Sequence, residues 1–453
     1  MDVKLFRLFK RHATFAHGGV HPSEHKKETA GLPIRRLPFA PQLVVPLSQH
    51  KGAPAKPIVK VGEEVVRGEP IAEADGHVSV PMHAPATGRV VAVDLWPTAE
   101  GPKAPAIVIE PYDAASQEIL YEDPVDIMNE TPGEIVHLVK EAGLVGLGGA
   151  AFPSHVKMLP PAGKSIHTVI VNGCECEPYL TCDHRVMLEK TDALLRGVRI
   201  AMRATGAKRA MIGIEDNKMD AVQAIRQKLP ENDAIEVKAV KARYPQGAEK
   251  MLIESLLKKQ IPEGGFPVDL GVAVYNVGTL AQMGELLPSG RGLIERVVTV
   301  SGAGVDRPGN YLVPIGTPVG FLLHSAGVDA EANKVILGGP MMGMTVASLE
   351  VPITKGVSGV VVYAADESDR GERKVYPCIK CSRCVETCPM RLNPSMMALL
   401  AQKREYERME SEFHLNQCFE CGCCAYVCPS NIPLTQYFRI AKAINRERPA
   451  VAS

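Results

Sequence analysis

The C-terminal fold is decided by two cysteine-rich stretches: Cys-Ile-Lys-Cys-Ser-Arg-Cys-Val-Glu-Thr-Cys-Pro at residues 378–389 and Cys-Phe-Glu-Cys-Gly-Cys-Cys-Ala-Tyr-Val-Cys-Pro at residues 418–429. Both follow the spacing C-x2-C-x2-C-x3-C-P. Three thiolates in such a loop can ligate one cubane, while the fourth cysteine, before the proline, points to the other cluster. The spacing therefore predicts two [4Fe-4S] clusters with crossed ligands: Cys378, Cys381, Cys384 and Cys428 for cluster 1, and Cys418, Cys421, Cys424 and Cys388 for cluster 2.

Structural zinc is the competing metal, but zinc uses two C-x2-C pairs per tetrahedral ion and explains neither the third cysteine nor the proline. Cys423 is surplus to the pattern and is predicted to be a packing residue. Between the motifs we expect one helix from Asn393 to about Glu412, and a second helix after Pro433. These helices predict an all-α module that relays electrons.

The rest of the chain is of ordinary globular composition. It has 453 residues, 45% of them hydrophobic and 23% charged, which predicts several domains. Its 51 basic residues balance 51 acidic ones, so no global basic field favours nucleic acid as a partner. No run approaches the ~20 apolar residues that span a bilayer. We expect a soluble or peripheral protein in a reducing compartment.

A glycine-rich loop lies in a region of alternating strand and helix patterns, residues 131–230, which is typical of an α/β layer. Thr131-Pro132-Gly133-Glu134 is a capping box that begins a helix. The loop follows as Gly-Leu-Gly-Gly-Ala-Ala-Phe-Pro at 146–153. A helix rather than a strand precedes it, so the dinucleotide-binding fingerprint fails. The bare backbone can still approach a flat ring or a phosphate.

An acidic turn comes soon after this loop. Residues 166–171 form an apolar strand that ends in Asn-Gly-Cys-Glu-Cys-Glu-Pro at 172–178. Ligands of open α/β sheets bind at the carboxyl ends of strands, so the turn and the loop are predicted to form one crevice. Three cysteines at or after the turn, Cys174, Cys176 and Cys182, have a spacing that fits no common cluster. We interpret them as packing residues, with a third metal site as the alternative.

Together the loop and the turn resemble the flavin-binding module of the NADH-oxidising subunit of respiratory complex I. That family carries G-R-G-G-A-G-F-P followed by N-x-D-E-x-E-P. The segments 244–249 and 276–279 resemble its Y-x-x-G-E-E and N-V-E-T. Three departures are Leu147 for the arginine, Cys174 for the first acid and Ala248 for the first glutamate of G-E-E.

The resemblance implies FMN and NAD(H) as cofactors, with Glu175 and Glu177 as positioning residues and no side chain as a catalytic acid or base. Asn172 and Glu175 would contact the ring edge or ribityl chain, Asn276 and Thr279 the phosphate end, and Glu177 the nicotinamide nucleotide. The implied cofactor-binding residues are Gly146, Gly148, Gly149, Lys157, Asn172, Glu175, Glu177, Tyr244, Gly247, Glu249, Asn276 and Thr279.

Two further modules flank the flavin module. Short glycine-punctuated strands in 57–93 resemble a lipoyl/biotinyl sandwich, but the hairpin tip Asp75-Gly76-His77 lacks the lysine that carrier chemistry requires. Residues 294–345 resemble the β-grasp module that follows the flavin domain in complex I. At the N-terminus, residues 3–11 form a basic amphipathic stretch. We expect a partly packed terminus there, with contact to a membrane subunit or anionic lipid as the alternative.

The complete order of modules resembles the RnfC family of the Rnf (Rsx) ion-translocating electron-transport complex. The predicted fold class is a multidomain α/β chain. Its boundaries are an N-terminal segment (1–30), a lipoyl-like barrel-sandwich module (31–112), an FMN/NADH-binding α/β domain (113–290), a β-grasp module (291–350), and a connecting strand with an all-α two-cluster ferredoxin domain (351–453).

The family resemblance implies a peripheral electron-input subunit on the cytoplasmic face of the inner (cell) membrane. It would move electrons between NAD(H), FMN and two [4Fe-4S] clusters in an NADH:ferredoxin oxidoreductase. Its partners would be the other subunits, including an iron–sulfur subunit, and ferredoxin indirectly. One alternative is a cobalamin reductase of a propanediol-utilisation microcompartment. Another is a non-enzymatic cluster relay without a functional flavin site.

Overall fold

The structure is a computed structural model that describes residues 12–119, 121, 123–328, 334–363 and 374–448. The amphipathic stretch 3–11 lies outside the described residues. Within them, no helix has the length and apolar character needed to cross a membrane.

The strands, in chain order, are β1 (Ile34–Arg36), β2 (Leu43–Pro46), β3 (Lys56–Pro57), β4 (Glu64–Val65), β5 (Pro70–Glu73), β6 (Met82–His83), β7 (Gly88–Trp96), β8 (Ala104–Pro111), β9 (Thr168–Gly173), β10 (Arg209–Glu215), β11 (Ile235–Val240), β12 (Val272–Asn276), β13 (Glu295–Ser301), β14 (Gly309–Pro314), β15 (Lys334–Leu337), β16 (Met344–Thr345) and β17 (Gly359–Tyr363).

The α-helices are α1 (Lys27–Ala30), α2 (Pro132–Glu141), α3 (Ser154–Met158), α4 (Cys182–Glu189), α5 (Thr191–Thr205), α6 (Met219–Gln227), α7 (Glu249–Leu257), α8 (Val277–Leu286), α9 (Val319–Ser325), α10 (Arg383–Glu386), α11 (Pro394–Gln402), α12 (Tyr406–Ser411), α13 (Cys423–Tyr426) and α14 (Leu434–Glu447). Short 3-10 helices cover Pro267–Leu270, Leu287–Ser289 and Leu415–Gln417.

Residues 43–111 form the sandwich module. Its strands make one sheet in the order β2-β8-β7-β4 and a second in the order β3-β5-β6. Alternating apolar side chains such as Val45, Ile71 and Ile107 fill the space between them. The two-sheet sandwich predicted from the glycine-punctuated strands is therefore confirmed.

Residues 132–286 form the parallel-sheet module, whose sheet has the order β11-β10-β9-β12 with every neighbouring pair parallel. The chain runs outward from β9 to β11 and then returns to place β12 on the other side of β9. This reversal puts a topological switch point between β9 and β12, where α/β sheets bind their ligands.

Helix α8, which follows β12, is fixed against the sheet by helix α5. The main chains approach closely because a Cβ at Gly197 would lie 1.8 Å from the Leu280 carbonyl oxygen, and one at Gly284 would lie 2.0 Å from the Ala193 oxygen. Only glycine fits at such a contact. The N-terminus of α8 is thereby held at the switch point.

The mixed-sheet module has the strand order β1-β14-β13-β17-β15-β16. It includes two strands that lie outside the boundaries predicted for it. Strand β1, assigned above to the sandwich, pairs in parallel with β14. Strand β17, assigned to the cluster domain, pairs with β13 and β15.

Residues 374–447 form the cysteine module, a set of helices around the two motifs. The helix after Pro433 is present as α14, but the single helix predicted from Asn393 is two helices, α11 and α12. Arg404, between them, has a left-handed backbone with φ of 59°. That conformation ends α11 and turns the chain before α12 begins.

Candidate functional site

Two asparagines meet at the switch point. Asn172 at the end of β9 and Asn276 at the end of β12 are register partners. The Asn276 Oδ1 atom accepts hydrogen bonds from the amides of Gly278 (2.8 Å) and Thr279 (3.2 Å), so this side chain caps α8. Its Nδ2 atom donates to Asp183 at 2.6 Å.

The glycine loop lies against this capped helix. The Leu147 amide donates to the Thr279 hydroxyl at 2.9 Å, and a Cβ at Gly148 would lie 3.3 Å from the Asn276 Cβ. Gly149 has φ of 108°, and a Cβ there would meet no atom within 4 Å. The loop thus presents bare main chain to open space beside α8, which fits close approach by a planar ring or a phosphate.

Lys157 and Glu249 form an ion pair at the same site. The Lys157 Nζ atom lies 3.2 Å from a Glu249 carboxylate oxygen and also donates to the Val274 carbonyl at 3.2 Å. Both side chains are about one third exposed (35% and 37%). A cation held this way beside the bare loop remains reachable by an anionic ligand.

The acidic turn is held from below rather than open to solvent. Glu175 has φ of 49°, and its carboxylate accepts from the amides of Asp183 (2.6 Å) and His184 (3.2 Å) at the start of α4. Burial and the neighbouring Glu175 raise the pKa of Asp183 to about 7. Glu175 is therefore occupied as a helix cap, and the turn is fixed before any ligand binds.

Two buried lysines hold the main chain of this turn, and the motifs in the sequence did not reveal either of them. The Lys26 ammonium donates to the carbonyls of Glu175 and Glu177, both at 2.8 Å, and to that of Leu180. The Lys218 ammonium donates to the Cys174 carbonyl at 2.7 Å. Neither position lies in a recognisable motif, so no sequence signal marks them.

Glu177 is engaged with the mixed-sheet module. Its carboxylate accepts from the amides of Met341 (3.0 Å) and Met342 (2.9 Å), and burial raises its pKa to about 7. These contacts do not support the expected approach of Glu177 to a nicotinamide nucleotide. The side chain instead joins the acidic turn to the loop after β15.

The segment Tyr244–Gly247 connects the crevice to the cysteine module. The Asn172 Nδ2 atom donates to the Gly247 carbonyl at 2.7 Å, and the Gly247 amide donates to the Cys176 thiol at 3.3 Å. The buried Tyr244 hydroxyl donates to the Cys421 carbonyl at 2.7 Å. Cys421, a predicted ligand of cluster 2, is thus one hydrogen bond from the loop that holds Asn172.

The two sets of cysteine thiols come together in the crossed arrangement. Burial raises the pKa of Cys384, and the thiols of Cys428, Cys378 and Cys381 add to the rise. Burial likewise raises the pKa of Cys424, with further contributions from Cys421, Cys418 and Cys388. Each set of neighbours contains three cysteines of one motif and the fourth cysteine of the other.

The spacing of these thiols fits a cubane better than zinc. A tetrahedral zinc with Zn–S distances of about 2.3 Å would bring its thiolates within about 4 Å of one another. In the part of the chain that the structure describes, just one group of three possible ligand atoms lies within 4.8 Å, and it is Glu175, Cys182 and Asp183. The motif cysteines are thus spread more widely, as ligands at the corners of a larger cluster would be.

Cluster 2 lies inward and cluster 1 lies at the surface. Cys388, Cys421 and Cys424 are buried, whereas Cys378 and Cys381 are exposed. The N-terminal segment braces cluster 2, since the Gly19 amide donates to the Thr387 carbonyl at 2.8 Å and the Val20 amide to the Tyr244 carbonyl at 2.8 Å. Cys423, surplus to the pattern, is fully buried among apolar residues.

A bare loop at a switch point, joined to paired cysteine sets, defines the class: an oxidoreductase that combines a flavin with iron–sulfur clusters. Comparison with family models agrees with this arrangement. Residues 139–285 match the Nuo51 FMN-binding domain, 14–114 the RnfC barrel sandwich hybrid domain, 297–345 the SLBB domain and 377–432 the 4Fe-4S dicluster domain.

Curated relatives extend over nearly the whole chain, and all of them are the RnfC-type component of their complex. The chain is 42% identical to that of the proton-translocating ferredoxin:NAD(+) oxidoreductase complex of Clostridium ljungdahlii, over 95% of this chain and 93% of the relative. It is 37% identical to the Na(+)-translocating counterpart of Acetobacterium woodii, over 88% and 90%. It is 40% identical to the same component of the ion-translocating oxidoreductase complex of Rhodobacter capsulatus, over 95% and 83%. The chain belongs to this RnfC family.

A solved structure shares the fold. The NAD+-reducing [NiFe]-hydrogenase in its H2-reduced state superposes with a TM-score of 0.53 at 20% identity, covering 71% of this chain and 64% of that one. The predicted fold class and family are both confirmed, and FMN, NAD(H) and two [4Fe-4S] clusters are the cofactors that the family models and relatives support.

Proposed function

We propose that the chain is the electron-input subunit of an ion-translocating ferredoxin:NAD(+) oxidoreductase complex. The relatives described above all bear names of this kind, which favours this function over a cobalamin reductase. The observation that carries the proposal is the hydrogen bond from Tyr244 to Cys421, because it joins the loop beside the crevice to a ligand of cluster 2.

The residues have distinct tasks in this function. Gly148 and Gly149 offer bare main chain, and Lys157 offers a cation. Asn276 fixes the amides of α8 at the phosphate end, and Asn172 fixes the Tyr244–Gly247 loop. A bound flavin supplies the exchange between hydride transfer and single-electron transfer, which side chains alone do not provide.

The two cysteine sets give the protein a direction in space. The set of Cys388, Cys418, Cys421 and Cys424 adjoins the crevice, and the set of Cys378, Cys381, Cys384 and Cys428 reaches the surface. This order supports electron exchange with NAD(H) at the inner end and with another subunit that has its own iron–sulfur centre at the outer end. We also propose that the protein lies peripherally on the cytoplasmic face of the membrane.

Anaerobic reconstitution with iron, sulfide and FMN tests the function. We expect about eight irons and one FMN per chain, and bleaching of cluster absorbance by NADH. Loaded protein that NADH leaves oxidised would contradict the enzymatic role. Clusters without any flavin binding would instead favour a non-enzymatic relay.

A further inference from the structure

A buried arginine from the mixed-sheet module lies directly behind the glycine loop. Arg296, on β13, is 2% exposed. Its Nη2 atom donates to the Leu147 carbonyl at 3.2 Å, its Nη1 atom to the Lys355 carbonyl and its Nε atom to the Val297 carbonyl. One side chain thus ties the glycine loop to two segments of the mixed-sheet module.

The guanidinium keeps its positive charge at this place. Every hydrogen bond that it makes within the described residues goes to a main-chain carbonyl, so no carboxylate neutralises it there. Burial lowers its pKa, and Cys182 and Asp183 act in the opposite direction. An arginine remains protonated through any ordinary shift of this kind. Because a buried charge without an ionic partner is costly, its presence calls for a function.

The loop itself has no charge to offer an anionic ligand. Residues 146–153 contain no ionisable side chain. The Arg296 side chain lines a small cleft with Leu147, Asp183, Lys190 and Gly278, where α8 begins. The positive end of a helix and a buried cation therefore face the same space beside the loop.

We propose that Arg296 is a positioning residue for the flavin, which fixes the glycine loop through Leu147 and supplies from the neighbouring module the positive charge that favours the flavin phosphate. The inference rests on the proposed function, since it takes the glycine loop as the FMN site. The loop of the complex I family carries an arginine where this chain has Leu147, so the charge is present in both cases but enters from a different strand.

The test compares FMN with riboflavin, which lacks the phosphate. Both are titrated by flavin fluorescence quenching into the full chain carrying its clusters. Arg296→Met is expected to weaken FMN binding at least about tenfold, since a charge-assisted interaction is worth more than about 1.4 kcal/mol. Riboflavin binding should change much less, so the affinity ratio of FMN to riboflavin falls.

Two further variants separate charge from packing. Arg296→Lys keeps the charge and should retain most of the ratio. Leu147→Arg in the Arg296→Met background places a cation on the loop itself and should restore the ratio. The matched control is Arg36→Met, an arginine on the neighbouring module surface that pairs with Glu295 and is 53% exposed. It should leave both affinities unchanged.

The outcomes separate this inference from the proposed function. A wild-type chain that binds no FMN would refute the proposed function. A wild-type chain that binds FMN, beside a folded Arg296→Met variant with an unchanged ratio, would overturn only the role of Arg296. If Arg296→Met does not fold, Arg296→Lys decides: a ratio near wild type supports the inference, and a folded variant with the ratio lost contradicts it.

Discussion

The phenolic hydroxyl of Tyr244 donates a 2.7 Å hydrogen bond to the main-chain carbonyl of Cys421. Tyr244 follows the third strand of the parallel sheet, and Cys421 lies in the second cysteine motif. The contact is buried, and Glu177 packs beside Tyr244, where its charge raises the pKa of the phenol after burial has done so. A single side chain thereby sets the distance between the crevice and the inner cluster.

Removal of this hydroxyl should weaken the junction. Tyr244→Phe leaves the Cys421 carbonyl without its donor, at a cost of about 1–2 kcal/mol. We expect a thermal midpoint lower by a few degrees, and slower reduction of the clusters by NADH in stopped-flow absorbance, with FMN and iron content unchanged.

Tyr275 provides the matched control. Its hydroxyl is also buried but has no hydrogen-bond partner among the described residues. Tyr275→Phe should therefore be neutral or slightly stabilising, since it removes a desolvated polar group without leaving another unpaired. Equal losses in the two variants would show that the Tyr244 contact has no special role.

The crossed ligand sets predict which cluster each cysteine controls. Cys428→Ser should lose cluster 1 and Cys388→Ser cluster 2, each lowering iron from about eight to about four per chain. Because cluster 2 adjoins the crevice, NADH should still reduce the remaining cluster of Cys428→Ser quickly, but not that of Cys388→Ser. Electron paramagnetic resonance after rapid freezing measures this difference.

Cys423 is the control for these substitutions. Its thiol is buried but surplus to the ligand sets, so Cys423→Ala should retain both clusters and the wild-type reduction rate. The opposite pattern, with fast reduction in Cys388→Ser and slow reduction in Cys428→Ser, would place cluster 1 nearer the flavin and contradict the arrangement described here.

Much of the site was accessible from local sequence because its chemistry is local. Cysteine spacing within one motif fixes which thiols share a loop, and the proline after the fourth cysteine marks its separate direction. Asn172 and Asn276 both end buried strands, and Asn276 also precedes a helix, where an asparagine cap is a recognisable signal. The crevice could therefore be predicted from where the strands end.

The remaining contacts depend on tertiary structure and carry no such signal. Arg296 and Lys26 donate to main-chain carbonyls, and a carbonyl exists at every residue, so no partner residue type identifies the contact. Strand β1 is three residues long and mostly exposed, so its pairing with β14 is decided by the neighbouring strand rather than by its own pattern. The break at Arg404 lies in a run of good helix formers, where propensity alone favours continuation.

The lysine below the acidic turn should matter more than its neighbour in sequence. Lys26→Met removes the donor from three carbonyls and is expected to cost about 2–4 kcal/mol, because buried acceptors are left unpaired. The chain should lose FMN more readily on gel filtration and unfold at a lower temperature. Lys27→Met, at an exposed position of the same helix, should leave both unchanged. Identical behaviour of the two variants would refute a structural role for Lys26.

A buried histidine predicts acid sensitivity at the junction of the sandwich and parallel-sheet modules. Burial, followed by the nearby Lys355 charge, lowers the pKa of His83 to about 3. Its folded-state pKa thus lies below the value of about 6.5 in an unfolded chain. The unfolded state binds the proton first, so stability is fully present above pH ~6.5 and falls as the pH drops towards 3. Between pH ~6.5 and ~5 the loss should be about 1–2 kcal/mol. His83→Gln should lower stability at pH ~7 but flatten this dependence, measured as the shift in thermal midpoint by circular dichroism, whereas His137→Gln at an exposed position should retain the wild-type slope. A His83→Gln variant with an unaltered slope would mean that another group controls the acid response.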